Sequence, residues 1–173
     1  MVDDALRALP DVLAPGLTAI FCGLNPGQRA AASGHHFDGR QNRFWPVLQR
    51  AGYTPRLMAP HEGRALLACG YGMTTAVARP TASASELSRA DYLAAADELA
   101  RKIARLRPRC VAFLGKAAYA AMSRRAVVEW GAQPATFGGA AVWILPNPSG
   151  LNRGFSLDAL VEAYRAMRVA LEG

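Results

Sequence analysis

Short apolar runs alternate with longer amphipathic stretches along this chain. Residues 17–22, 110–114 and 141–145 each read as a buried strand, too short for a helix and bounded by proline, glycine or charge. A weaker strand falls within residues 72–77. The clearest helix opens at Ser88, where Ser88-Arg89-Ala90-Asp91 is a capping-box variant with aspartate in the reciprocal position. Leu93, Ala96, Ala100, Ile103 and Leu106 form its apolar stripe, and Pro108 stops it. Asp97/Arg101 and Glu98/Lys102 are i,i+4 pairs of the favoured order along it. Further helices are predicted over residues 3–9, 42–52, 60–68 and 117–122, and from Ser156 onward. The last carries Leu157, Leu160, Val161, Tyr164, Met167 and Leu171 on one side. Residues 23–41 read as one long loop, and loops of that length inside a domain are usually functional or disordered. Buried strands alternating with helices predict a three-layer α/β/α domain with a mostly parallel central sheet and helices on both faces. A length of 173 residues suits a single domain.

Two of the predicted strands end in similar polar turns. The first runs into Gly23-Leu24-Asn25-Pro26-Gly27. Pro26 pushes Asn25 out of helical dihedrals, and the glycines allow backbone approaches that other residues resist. In an open α/β sheet ligands bind beyond the carboxyl ends of the strands, so Asn25 stands where a functional side chain would. Asn-Pro-Gly also makes an ordinary turn anywhere. The last strand runs into Pro146-Asn147-Pro148-Ser149-Gly150-Leu151-Asn152-Arg153. If both strands are parallel in one sheet, the loops share an edge and face each other across a cleft, with Phe37 on the loop between. A flat ring among several amides suits a planar, polar ligand.

Composition narrows the partners. Net charge is +7, and of the 20 basic residues all but Lys102 and Lys116 are arginines. Arginine forks onto phosphate and stacks on flat groups, which favours an acidic partner such as nucleic acid. A shift in base composition from lysine to arginine would leave the same mark. Cys22, Cys69 and Cys110 are too few and too far apart for a disulfide framework, a zinc site or an iron–sulfur cluster. Cys22 and Cys110 sit in apolar runs and are expected as packed thiols in a reducing compartment. The chain has no apolar run near the roughly 18 residues of a membrane span and no basic leader, so a soluble, cytoplasmic protein is expected.

Other candidate motifs weaken on inspection. Gly115-Lys116 after a strand suggests a phosphate-binding loop, but Cys110 and Ala117 occupy the positions that need glycine and serine or threonine. Lys116 remains either a contact to a DNA phosphate or a solvated surface lysine. His35-His36 lacks metal-ligand spacing and is expected to be an exposed pair. Asp91 is explained by helix capping.

The segments Phe21 to Gly27, Asn42-Arg43-Phe44-Trp45 and Leu145 to Arg153, in that order, resemble the mismatch-specific uracil-DNA glycosylase / thymine-DNA glycosylase family, its bacterial branch most closely. Arg79-Pro80-Thr81 and Leu114-Gly115-Lys116 resemble it too. The resemblance implies a monofunctional glycosylase, monomeric and without cofactor or metal, that flips uracil out of guanine mispairs in double-stranded DNA. It implies Asn25 as the catalytic residue that positions water, with Gly23, Leu24 and Gly27 around it and Asn147 opposite. It implies Phe37 as the ring that stacks on the flipped base. It further implies that Ser149, Gly150, Leu151, Asn152 and Arg153 enter the duplex, with Leu151 as wedge and Gly150 reading the unpaired guanine. Gln28-Arg29-Ala30-Ala31, His35-His36 and Asn152 depart from the family's common forms. Small Ala30 and Ala31 imply room for a substituent at the pyrimidine C5, as in thymine, or for an adduct such as ethenocytosine.

Overall fold

A computed structural model describes residues 9–173. The helix expected at residues 3–9 lies outside them except for Leu9. In chain order the elements are β1 (Ala19–Gly23), α1 (Gln28–Ser33), α2 (Phe44–Ala51), β2 (Tyr71–Thr75), α3 (Arg89–Leu106), β3 (Cys110–Leu114), α4 (Ala117–Ser123), β4 (Gly131–Ala132), β5 (Ala141–Leu145) and α5 (Leu157–Glu172). Two 3-10 segments, Pro60–Cys69 and Ala84–Glu86, complete the set.

The sheet order is β2-β1-β3-β5-β4. The first four strands are parallel, with Phe21 opposite Ala112 and Ala112 opposite Trp143, and only β4 runs antiparallel, to β5. β1 and β3 are buried at every position, as strands covered on both faces must be. Their period of two divides the core. Ala19, Phe21, Cys110 and Ala112 pack with residues of α2 and α5, whereas Ile20, Cys22, Val111 and Phe113 pack with residues of α3 and α4. Phe21 meets Phe44 and Tyr53 edge-on at 5.4 and 5.3 Å between centroids. Truncating a side chain so enclosed costs about 3–5 kcal/mol. The predicted α/β/α layering is the observed one.

Three local expectations change. The loop at 23–41 contains α1, two turns closed by Gly34 in the left-handed region. Residues 60–69 wind as a 3-10 segment. The strand expected within 72–77 is shifted to Tyr71–Thr75, and beyond its end Ala76 N and Val77 N donate to the carbonyls of Gly23 and Leu24.

Candidate active site

Chain connection reverses direction between β1 and β3, since β2 lies to one side of β1 and β3 to the other. Such a switch point opens a crevice beyond the strand ends. Here it becomes a cavity of about 300 Å³, lined by Leu24, Asn25, Phe37, Asp38, Asn147 and Leu151 among others. The two polar turns therefore share an edge, as their sequences predict, with the end of β3 between them.

Asn25 is held by bonds that leave one amide atom over. Its Nδ2 donates to the Arg79 carbonyl at 2.7 Å and to Thr81 Oγ1 at 2.8 Å. A carbonyl can only accept, which fixes the orientation of the amide. Thr81 Oγ1 in turn donates to the Ser83 carbonyl at 2.7 Å, so its proton is spent and its lone pair faces Asn25. Both Nδ2 protons are used, and Oδ1 has no protein donor among the described residues. The support runs further back, because Arg79 pairs at 3.2 Å with Asp91, the reciprocal residue of the capping box that opens α3 at Ser88. Bonds from the Ser88 backbone and hydroxyl hold the Asp91 carboxyl below its ordinary range. Asp91 thus acts as a cap. The Asn25 turn itself is fastened by Thr81 N donating to the Pro26 carbonyl at 3.2 Å.

Phe37 forms one wall. Its ring stacks on Phe44 with centroids 3.8 Å apart and planes at 21°, and a Cβ on Gly23 would touch the same ring at 3.8 Å. Its φ of 58° places a bulky residue in the left-handed region, which costs about 1–2 kcal/mol. Neighbouring bonds hold that geometry: Trp45 Nε1 donates to the His36 carbonyl at 3.2 Å, and the His36 ring bonds the Pro10 carbonyl at 2.7 Å through Nε2. Because only a protonated nitrogen can donate to a carbonyl, Nε2 carries the hydrogen. His36 is therefore not an exposed residue, as expected from sequence, but 3% exposed, and burial pushes its pKa down. The expectation failed because a histidine pair in a polar loop carries no burial signal. Arg29 pairs with Asp38 at 3.3 Å and ties α1 to this loop, and buried Ala30 adds a small lining side chain.

The second turn is tightly braced. Asn147 Oδ1 accepts from Ser149 N at 2.9 Å, and its Nδ2 has no protein acceptor among the described residues. The cleft thus holds an unengaged amide oxygen on Asn25 and an unengaged amide nitrogen on Asn147. Asn152, expected to meet DNA, spends its amide within the loop: Nδ2 donates to the Asn147 carbonyl at 2.9 Å and Oδ1 accepts from Gly154 N at 3.3 Å. Ser149 Oγ accepts from Leu151 N at 3.2 Å. Gly150 is required by crowding, because a Cβ there would meet the Gln41 carbonyl at 2.7 Å. Leu151 stands 68% exposed at the tip, with exposed Arg153 beside it. Tyr164 anchors the start of the loop by donating to the Pro146 carbonyl at 2.8 Å.

Two residues without a role assigned from sequence complete this constellation. Arg43 donates from its guanidinium to the carbonyls of Phe155 (2.7 Å), Asn152 (2.8 Å), Ser149 (2.9 Å) and Pro148 (3.4 Å). Thr81 orients Asn25. Both lie in segments that carried the family resemblance, which was the available signal. Lys116 follows Gly115, where φ is +100° and a Cβ would meet Leu24 at 3.7 Å and Asn147 at 3.8 Å. Its ammonium sits 4.5 Å from the centroid of Trp130. The thiols of Cys22 and Cys110 are buried, and burial pushes each up to about 12. No helix among the described residues is long and apolar enough to cross a membrane.

The chain matches the Uracil DNA glycosylase superfamily over residues 10–168. Among solved structures it is similar to one determined by solution NMR, a candidate uracil DNA glycosylase from Methanosarcina acetivorans. The TM-score is 0.68, with 19% identity, 96% of this chain covered and 98% of that one. At that identity the likeness establishes the fold, whereas the family match spans nearly the whole chain. An α/β/α fold with its cleft at the β1/β3 switch point and a family match of this extent lead to one assignment: this chain belongs to the uracil DNA glycosylase superfamily and is a DNA glycosylase.

Proposed function

We propose that this protein removes uracil opposite guanine from double-stranded DNA by hydrolysis and leaves an abasic site, as in the mismatch-specific branch of its superfamily. The observation that carries the reading is the Asn25 amide, whose Nδ2 is consumed by Arg79 and Thr81 while Oδ1 is left for a water. In this mechanism the target nucleotide leaves the stack, at a cost of a few kcal/mol that is smallest for a mispair. Phe37 takes one face of the base, since its other face is covered by Phe44. Leu151 occupies the vacated space as an apolar wedge.

The C1′–N bond breaks with its electron pair leaving on the base, and the sugar takes on oxocarbenium character. Water held by Asn25 Oδ1 adds to C1′ and loses its proton to solvent. Asparagine is a negligible base at pH 7, so it aims the water without deprotonating it. Asn147 Nδ2 supplies a neutral donor for the oxygen of the departing base, and the DNA phosphates stabilise the sugar cation. Catalysis is accordingly slow and rests on positioning. No lysine stands in either polar turn, so the nucleophile is water and not an amine. Ala30 at the cavity wall leaves room for substituted pyrimidines, including thymine and ethenocytosine.

A panel of duplexes, each with one uracil, thymine or ethenocytosine opposite guanine or adenine, assayed for abasic sites, tests the reading. Uracil opposite guanine should be released fastest. Binding to the mispair with no release from any duplex would indicate a non-catalytic mismatch-binding module, and hydrolysis of free nucleosides would indicate a different substrate class.

A further inference from the structure

Beside the cleft lies a second aromatic feature that the excision mechanism does not use. Trp130 precedes β4 and is 43% exposed. Gly131 pairs with Ile144 near the end of β5, so Trp130 reaches the same sheet edge as the loop that follows β5. Gln133 Nε2 braces its turn by donating to the carbonyls of Glu129 at 2.7 Å and Gly131 at 3.0 Å. Phe155 meets the indole edge-on, at 5.3 Å and 83°, and the Phe155 carbonyl is one of those gripped by Arg43. The indole is therefore continuous with the wedge loop through one side chain.

Lys116 completes the feature. The residue before it, Gly115, faces Leu24 and Asn147, two residues that line the cavity, so the lysine leaves the chain close to it. Its ammonium lies over Trp130, 4.5 Å from the ring centroid, and makes no ion pair among the described residues. The other lysine, Lys102, is instead paired with Asp11 at 2.7 Å. A cation–π contact leaves the ammonium its charge and its remaining donors.

We propose that Lys116 and Trp130 form a composite contact for the DNA backbone flanking the flipped nucleotide, with the ammonium on a phosphate and the indole against the adjoining deoxyribose. Charge complementarity and continuity with the wedge loop select duplex DNA as the occupant. Trp130 holds the ammonium in place and adds an apolar surface of its own. The contact grips the strand next to the site of insertion, where a kinked duplex most needs support. The inference rests on the DNA-glycosylase reading, which base release by the wild-type chain reports separately.

Tryptophan emission provides the readout, because Trp45 is buried and Trp143 half-buried. The full chain is titrated with a duplex carrying 2′-fluoro-deoxyuridine opposite guanine, which resists hydrolysis. Emission should change on binding, and Trp130→Phe should remove most of that change. Lys116→Ala should lower the slope of log K against log salt by about 0.9, the share of one phosphate contact. Trp130→Ala should weaken binding about 5-fold, and this loss should shrink when Lys116 is already alanine. An undiminished emission change in Trp130→Phe, or an unaltered salt slope in Lys116→Ala, would overturn the proposal.

Discussion

Asn25 has a polarity that its neighbours impose. A free asparagine presents oxygen or nitrogen with equal ease, but here the Arg79 carbonyl and the Thr81 hydroxyl demand the nitrogen. Thr81→Val removes one acceptor and keeps the shape. One such bond contributes about 0.5–1.5 kcal/mol, so single-turnover base release should fall roughly 3- to 10-fold. DNA affinity should hold, and Thr81→Ser should restore the rate. Equal loss in both variants would separate Thr81 from the chemistry. His36 has a stability role with a definite sign. Burial lowers its folded pKa below the ordinary value near 6.5, so the unfolded chain takes up a proton that the folded chain refuses. Its contribution is complete above that value and is lost as pH falls through it toward the folded pKa. His36→Gln keeps an N–H for the Pro10 carbonyl, and its melting temperature should fall less between pH 7 and pH 5 than that of the wild type. Parallel curves would remove His36 from the account.

At the scale of elements, one guanidinium sets the loop after β5 that carries the proposed wedge. Arg43 stands at the start of α2 and meets four carbonyls of the segment after β5, so the loop is held by a group remote from it in sequence. Arg43→Lys keeps the charge and loses the fork. Release of uracil from a paired duplex should fall about 10-fold or more, since bonds to charged groups contribute about 1.5–3 kcal/mol each. Release from a substrate whose uracil is already unstacked should fall much less. Leu151→Ala should show the same imbalance, and equal losses on both substrates would argue against a wedge. The sequence did not expose this clamp, because a hydrogen bond across more than a hundred residues leaves no periodic trace. The two turns were visible, because Asn-Pro beside glycine at a strand end is a local signal. Helix α1 was hidden for the opposite reason: Gln28 to Ser33 is rich in alanine, which favours helix, but two turns of small residues make no apolar stripe. β4 is two residues long and carries no alternation that could be read.

For the molecule as a whole, the layered α/β architecture followed from alternating strands and helices, whereas the strand order did not. That β3 lies between β1 and β5 is decided by long-range pairing, and it is this order that puts the cleft at a switch point. The order also separates the two asparagines by one strand, with Gly115 between Leu24 and Asn147 at a φ of +100° that other residues rarely adopt. On the proposed reading, base pocket, wedge and basic rim share one edge of the sheet, so flipping, insertion and backbone grip would act on a single approach of the duplex. The central claim is that Asn25 aims a water at a flipped uracil, and single-turnover base release by Asn25→Ala, alongside its affinity for the same G:U duplex, tests it most directly. The account predicts affinity within about 3-fold of wild type and release slowed by two orders of magnitude or more, about 2.7 kcal/mol of barrier or greater. Undiminished release by Asn25→Ala would contradict it.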